Sequence, residues 1–476
     1  MSTPTSDPSG TGPARSAPTS ASASSASPPD DPFIGRAREL GVLAELAGSG
    51  RPEFFVLYGR RRVGKTELLQ RFCEGRRAVY FLAAQVREKD NLAAFAQATA
   101  ECLDDPLAQT VSFGDWPAAL AFAADRAGDE RLVVVLDEFP YLCEANKGLP
   151  SQLQKFWDTR GKKSSLMLVL CGSQVSFMER EVLAERSPLF GRRTAQRRLE
   201  PLTPAESLRF FGDWDLRQRV LAYAIVGGMP AYLRRFDQRV DLVTNLGREI
   251  LRPEGYLFDE VQFLLKSEFH QPATYNSLLG AVAKGLDRVG DIAAEVGVDS
   301  TTANKYLSTL RELGLVRRSV PLTDPDPLRS RKGRYRIADR FLSFHFRHVQ
   351  PHLSLIEAGR GERVLTEHVV PDFERLFHDA VVDFALEHVA LQAGDLFGAE
   401  VVESGRHDGA GVPALARLDD DRFVALQVAG VEAERAELEA ELAKLAKLTG
   451  KPAERLRYSL SDDLGAPLKV ERAKVG

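Results

Sequence analysis

Tyr58-Gly59-Arg60-Arg61-Arg62-Val63-Gly64-Lys65-Thr66 follows an apolar run, Phe54-Phe55-Val56-Leu57, and precedes a run with helical periodicity, Glu67-Leu68-Leu69-Gln70-Arg71-Phe72. The order is strand, glycine loop, helix. Gly, four residues, then Gly-Lys-Thr is the spacing of a phosphate-binding loop. Glycines let the backbone curl so that successive N–H groups point inward at phosphate oxygens. The helix starting at Lys65 adds its positive end. In this pattern Lys65 reaches the outer phosphates and the Thr66 hydroxyl ligates Mg2+, with Gly59, Arg60 and Gly64 completing the cradle. A chance match in an Arg-rich turn is the alternative. It leaves unexplained the flanking strand and helix, and an acidic strand downstream.

That strand is Arg131-Leu132-Val133-Val134-Val135-Leu136-Asp137-Glu138. A continuous apolar, β-branched run suits a central parallel strand buried on both faces. It ends in two carboxylates: Asp137 can hold Mg2+ through its water shell, and Glu138 can orient and polarise an attacking water. Ser165-Leu166-Met167-Leu168-Val169-Leu170-Cys171-Gly172-Ser173-Gln174 is a further buried strand with polar residues at its carboxyl end, the edge where open α/β sheets hold ligands. Ser173 either senses the γ-phosphate or holds the water, or it simply caps the next helix. Arg192 and Arg193, in Ser187-Pro188-Leu189-Phe190-Gly191-Arg192-Arg193-Thr194, either bring positive charge to the γ-phosphate, in cis or from a neighbour, or form a solvated basic loop.

Outward from this core, residues 1–31 are nearly all Ser, Pro, Ala, Thr, Gly and Asp and read as a disordered tail. The amphipathic stretch 37–46 is placed to cover the adenine side of a nucleotide. Ala78–Leu82 reads as a short strand, with helices near 88–103, 115–126 and 150–159. Thr203-Pro204-Ala205-Glu206 is a capping box opening a helical lid, 203–273, interrupted at Gly227-Gly228-Met229-Pro230. Residues 274–336 give helix, short helix, turn, helix and strand, the winged helix-turn-helix pattern. On the third helix Thr301, Thr302, Asn304, Lys305 and Ser308 form the polar face. Arg329, Arg331, Lys332, Arg334 and Arg336 make the wing basic, as phosphate contacts with DNA require. The alternative is a winged helix that only packs against protein.

Residues 337–360 read as an aromatic connecting helix. Its His345, His348 and His352 share a face, but without a flanking carboxylate or cysteine they fit a core or interface better than a metal site. In 361–476, a strong amphipathic helix covers 373–385. Strands follow at 399–403, 412–418 and 423–428, then a charged helix at 431–448.

The bulk numbers set limits. A chain of 476 residues makes three or four domains at roughly 100–200 residues each. A net charge of −4 excludes a coat for nucleic acid along the whole chain, so DNA contact has to be local. Cys73, Cys102, Cys143 and Cys171 are scattered and read as reduced residues of a cytoplasmic protein. No run reaches the roughly 18 apolar residues of a membrane span, and the start lacks the apolar core of a signal peptide.

Tyr-Gly-Arg-Arg-Arg-Val-Gly-Lys-Thr at 58–66, Leu-Asp-Glu-Phe at 136–139, Cys-Gly-Ser at 171–173, Leu-Phe-Gly-Arg-Arg-Thr at 189–194 and Gly-Gly-Met-Pro-Ala-Tyr-Leu at 227–233 resemble the archaeal-type ATPases of the AAA+/STAND P-loop group. The tail resembles the domain of unknown function 234 that often follows them. The likeness runs over about 32–450. It implies an ASCE core sheet at 32–202, the lid, the winged helix, and a C-terminal fold similar to the PD-(D/E)XK nucleases. It also implies ATP and Mg2+ as ligands, Glu138 as base, Ser173 as sensor 1, and Arg192 or Arg193 as arginine finger. A finger supplied from a neighbour would require a homo-oligomer. In the tail, Phe373-Glu374 matches the helix glutamate of nuclease-like members, but Gln427 and Ala429 stand where a carboxylate and a lysine are expected. The expectation is an inactive nuclease-like domain kept for interaction, DNA or an unidentified protein being the partner. An ATPase switch is the leading function. A DNA-binding regulator with little turnover and an active nuclease are the alternatives.

Overall fold

The computed structural model describes residues 33–104, 110–324, 326, 329–330, 332–409, 412–428, 435–459 and 469–474. The expected tail at 1–31, Arg331 of the wing, Ala429, and the start of the helix expected at 431–448 lie outside the described residues. The chain divides into two units, Met1–Ile34 and Gly35–Gly476. The second unit holds all the described helices and strands.

The run ahead of the glycine loop is β1 (Glu53–Tyr58), buried along its whole length. With β2 (Ala78–Leu82), β3 (Leu132–Asp137), β4 (Leu166–Gly172) and β5 (Ala195–Arg198) it forms a sheet in the order β2-β3-β4-β1-β5, every neighbour parallel. β3 and β4 are buried throughout, as strands covered by helices on both faces must be. The strand β4 is thus inserted between β1 and β3. The register aligns Tyr58 with Gly172 and Leu82 with Asp137, so the carboxyl ends of these strands share one edge.

The lid opens as its sequence dictates. Thr203 Oγ1 accepts from the Glu206 amide at 3.2 Å, and Glu206 Oε2 accepts from the Thr203 amide at 3.1 Å. Helices Pro272–Ala283, Val289–Val296 and Ser300–Glu312 follow, then the antiparallel pair β6 (Val316–Ser319) and β7 (Arg334–Ile337). Asp299 caps the third helix, accepting from the Thr301 and Thr302 amides, each at 2.9 Å.

The connecting helix differs from expectation. It is an α-helical Arg340–Phe344, a wide π turn His345–Val349, a 3-10 turn Gln350–His352 and an α-helical Leu353–Glu357. Pro351 supplies no N–H to the helical ladder, and the preceding turn widens around the gap. The same sequence of turns recurs at Leu365–Val369 and Val370–Asp372, where Pro371 holds the equivalent place.

The long helix of the tail, Phe373–Phe397, has 25 residues, far more than its amphipathic start suggests. Five strands follow: β8 (Val401–Gly409), β9 (Val412–Leu418), β10 (Phe423–Val428), β11 (Glu454–Ser459) and β12 (Lys469–Lys474), in the order β12-β11-β10-β9-β8. Only β10 and β11 pair in parallel, and the helix Arg435–Thr449 makes their crossover. Leu438, Leu442 and Leu445 of that helix pack on Leu415, Phe423 and Ala425. The last two strands escaped the sequence reading, although Leu456 and Tyr458 alternate with Arg455 and Arg457 as a half-covered strand should.

Asp383 on the long helix ties this domain to the rest. Arg340 Nε donates to its Oδ2 at 3.0 Å and Arg406 Nη2 to its Oδ1 at 2.8 Å. Burial pushes the Asp383 carboxyl up, but the two guanidiniums outweigh it and hold the group below the usual carboxylate range. A depressed carboxylate contributes stability above its unfolded pKa, about 4, and loses it as pH falls through the folded value. Asp383→Asn should therefore cost about 1–3 kcal/mol at neutral pH, discounted for partial exposure, and less at pH 3. Urea unfolding at both pH values checks this, and an equal cost at both would show that the contact is not ionic.

Candidate nucleotide site

Between β1 and the helix Lys65–Cys73 the chain has to turn tightly without side-chain interference. A Cβ on Gly59 would lie 2.5 Å from the Leu199 carbonyl oxygen, so only glycine fits there. Gly64 caps the helix with φ 92°, a conformation that glycine adopts without strain. The amides of the helix's first turn have no helical acceptor and are free to bind an anion. Lys65 is 4% exposed; its Nζ donates to the carbonyls of Gly59 at 2.9 Å and Arg60 at 3.0 Å. Burial lowers its pKa, while Glu138 and Asp137 are among the groups that oppose the shift. The cation is folded back onto the carbonyls of its own loop.

Asp137, fully buried at the end of β3, is satisfied from three directions. Thr66 Oγ1 donates to Oδ2 at 2.8 Å, Tyr80 Oη to the same oxygen at 2.5 Å, and the Glu138 amide to Oδ1 at 2.9 Å. Thr66 and Asp137 were expected as a pair of hard oxygen donors, and they meet. Tyr80 was missed. Its only signal is a hydroxyl on the strand beside β3, and strand order is not written locally. Burial, then the Asp137 charge, pushes the Tyr80 phenol far up, so it stays a donor.

Glu138 adopts a left-handed backbone, φ 52° and ψ 44°, at the start of the next helix. A glutamate carries strain there, and the turn aims the side chain off the strand end. Its Oε1 accepts from Ser173 Oγ at 2.7 Å. Ser173 follows β4, the strand inserted between β1 and β3, and so stands between loop and carboxylate. Arg61, Glu138, Tyr141, Ser173, Gln174, Ser267 and Glu268 line one cleft. Arg61, Tyr141 and Glu268 carried no assigned role in the sequence.

Arg60 enters the loop differently from expectation. Its guanidinium turns inward and pairs with Asp339 at 2.6 Å, both side chains under a tenth exposed, which leaves its backbone for the cradle. Arg62 pairs with Glu260 of the lid. Arg36 donates to the Val63 carbonyl at 2.8 Å and bolts the loop from behind.

Arg192 and Arg193 do not reach this edge. The Thr194 amide donates to the Phe54 carbonyl at 2.8 Å, next to the amino end of β1. The phosphate loop is at the other end, roughly 13 Å away at about 3.3 Å per residue. Arg192 pairs with Asp158 at 3.1 Å, and Arg193 lies over the Phe190 ring.

On the third helix of the winged unit Thr301, Asn304 and Lys305 are exposed. Thr302 is less free, since its hydroxyl donates to Asp299 at 2.6 Å. In the wing, Lys332 pairs with Asp324 at 3.4 Å and Arg334 with Asp287 at 2.6 Å. The three histidines do not converge: His345 is buried, His348 faces Asp372 at 2.9 Å, and His352 stacks on His368. Burial drives His345 and His348 down to about 4, which keeps both neutral at pH 7.

Residues 33–236 match an ATPase domain predominantly from Archaea, and residues 277–319 match the IclR helix-turn-helix domain. An uncharacterized protein of Methanocaldococcus jannaschii, MJECL04, is 32% identical over 398 residues, covering 82% of this chain and 85% of that protein. The chain belongs to the archaeal-type P-loop ATPases. A second protein of that archaeon, the uncharacterized ATP-binding protein MJ0423, is 40% identical over 45 residues, 10% of this chain and 76% of that one. The Walker-type ATPase PABY2304 of Pyrococcus abyssi shares the fold, with a TM-score of 0.51 and 19% identity over 66% of this chain and 96% of that one. This archaeal-type ATPase therefore carries a P-loop ATPase domain and a helix-turn-helix. No helix among its described residues is long and apolar enough to cross a membrane.

Removing one member of a buried ion pair strands the other. Arg60→Met should lower stability by about 3–5 kcal/mol. Adding Asp339→Ser, which keeps a capping oxygen for the helix at Arg340, should restore more than half of it. Urea unfolding of the single and double variants checks this, and additive losses would contradict it.

Proposed function

We propose that the chain is a Mg2+-dependent ATPase whose nucleotide state is passed to a DNA-contacting winged helix. The observation that carries this is the meeting of Lys65, the Thr66–Asp137 pair and the Glu138–Ser173 pair at one edge of the sheet. Lys65 leaves the loop carbonyls to hold the β- and γ-phosphates, and the loop amides fix their oxygens. Thr66 and Asp137 fit as the holders of Mg2+, which when bound neutralises charge on those oxygens. Glu138 orients the attacking water and takes up its proton; Ser173 fixes the Glu138 carboxylate. Arg192 and Arg193, on the far edge, can serve only the site of a neighbouring copy, so a finger role entails a homo-oligomer.

For the tail we propose a nuclease-like fold with a binding rather than a cleaving role. The order helix, three strands, crossover helix, strand supports the first part. The second rests on where the matching residues go: Glu374 pairs with Arg217 at 2.5 Å on the surface, and Gln427 accepts from Arg455 at 2.6 Å. The modules 32–202, 203–273, 274–336, 337–360 and 361–476 are the working units of this proposal.

Lys65→Ala should abolish ATP binding, measured by calorimetry. Glu138→Gln should bind ATP as wild type does and turn it over about 10²–10³-fold more slowly. Wild-type binding without turnover would instead favour a nucleotide-loaded regulator, for which the Ser173–Glu138 contact, occupying the base, is the supporting observation.

For DNA, Lys305→Ala and Lys332→Ala should each weaken duplex binding across sequences and reduce the salt slope by about one. Duplex affinity unchanged in both would exclude this face.

A further inference from the structure

The cleft contains one charged group that hydrolysis as described leaves idle. Glu268 ends the lid helix Glu260–Glu268 and lines the cleft with Arg61, Glu138 and Ser173. Among the described residues its carboxylate makes no hydrogen bond or ion pair. It nevertheless lies within the field of Arg60, Lys65 and Arg61 of the phosphate loop. Burial raises its pKa, and those three cations pull it back. An acidic side chain in this cleft, within the field of the loop's cations and with no partner of its own, carries the same sign of charge as a phosphate. A nucleoside triphosphate at Lys65 would set several negative charges beside it in a half-buried site, where like charges repel strongly.

The residues immediately after Glu268 give this repulsion a path. Phe269 stacks on Tyr275 with centroids 3.7 Å apart and planes 17° from parallel. Tyr275 meets Tyr306 edge-on at 4.9 Å, and Tyr306 Oη donates to Gln271 Oε1 at 2.5 Å. Tyr306 lies on the helix Ser300–Glu312 that exposes Thr301, Asn304 and Lys305. The four residues 268–271 therefore touch the phosphate cleft at one end and the third helix of the helix-turn-helix at the other.

We infer that Glu268 is a displaceable carboxylate that sets negative charge beside the phosphate loop in the nucleotide-free protein, and that a bound triphosphate expels it and moves the 268–271 strap against Tyr275 and Tyr306. The inference rests on the nucleotide-binding reading of the loop. It makes Glu268 a brake on ATP binding and the strap the route by which nucleotide reaches the DNA-facing helix.

The test uses the full chain and a non-hydrolysable ATP analogue. Glu268→Gln keeps the side chain's size and removes its charge, and should bind the analogue about tenfold tighter than wild type. Glu268→Ala should do the same, which separates charge from a fortuitous amide contact. Hydrogen exchange of the wild type at 268–275 should change when the analogue binds. Phe269→Ala should leave analogue affinity within about twofold and abolish the transmitted change in exchange at 300–312. Wild-type affinity retained in both Glu268 variants overturns the brake, and unchanged exchange at 268–275 overturns the strap. Either result, with Lys65→Ala still defective, leaves the nucleotide site standing. Loss of analogue binding by the wild type itself would instead remove the site on which both depend.

Discussion

Three consecutive arginines in the phosphate loop are each claimed by a different part of the molecule. Arg60 pairs with Asp339 beyond the wing, Arg61 donates to the Tyr141 hydroxyl at 3.0 Å on the helix after β3, and Arg62 pairs with Glu260 of the lid. The buried Arg60–Asp339 pair is the most constraining of these. Taking two charges out of water costs nearly what their attraction returns, so such a pair does more for register than for stability. Asp339 is also the cap of its helix, accepting from the Leu342 amide at 2.8 Å. One carboxylate thus sets where the connecting helix begins and where it sits against the loop. The next residue, Arg340, reaches Asp383 of the tail. Two adjacent side chains join the nucleotide loop to the C-terminal domain.

This arrangement gives the ATPase sheet a reason to matter to distant parts of the chain. A parallel sheet delivers its strand ends to one edge, and here that edge gathers Lys65, Thr66, Asp137, Glu138 and Ser173. The loop between strand and helix is held by side chains from segments up to 279 residues away in sequence. Any phosphate that straightens Lys65 or shifts the loop backbone acts on those anchors too. Coupling needs an element with two arrangements that the ligand biases, and the phosphate loop is the element on which such a ligand would act.

The sheet and the edge that gathers the candidate site were legible because local patterns specify them. A glycine spacing, two β-branched runs and an acidic strand end are short-range signals, and β1, β3, β4, Thr66 and Asp137 lie where those signals put them. The Thr203 capping box was legible for the same reason. What could not be read is long-range. Nothing near Arg60 names Asp339, and nothing near Tyr80 says that its strand lies beside β3. Arg192 and Arg193 read in sequence as serving a γ-phosphate in cis or from a neighbour, or as a solvated loop, and only the register of β5 on β1 shows that they lie at the end of the sheet opposite the phosphate loop of their own chain. The connecting helix was drawn too smooth because periodicity ignores the N–H that Pro351 lacks.

The tail shows the converse: Glu374, the one residue there that resembles part of a nuclease set, is held in an ion pair with Arg217. A metal-dependent nuclease needs several carboxylates aimed at one point. Three acidic residues of the long helix, Glu374, Asp379 and Asp383, are instead matched by arginines. Asp379 and Asp383 take Arg406 and Arg340, and Glu374 takes Arg217. Each guanidinium satisfies a carboxylate from another element, converting what could be a cation site into a seam. Arg340 and Arg217 come from outside the tail, so the same charges that would oppose a metal also fasten the domain to the lid and connecting helix.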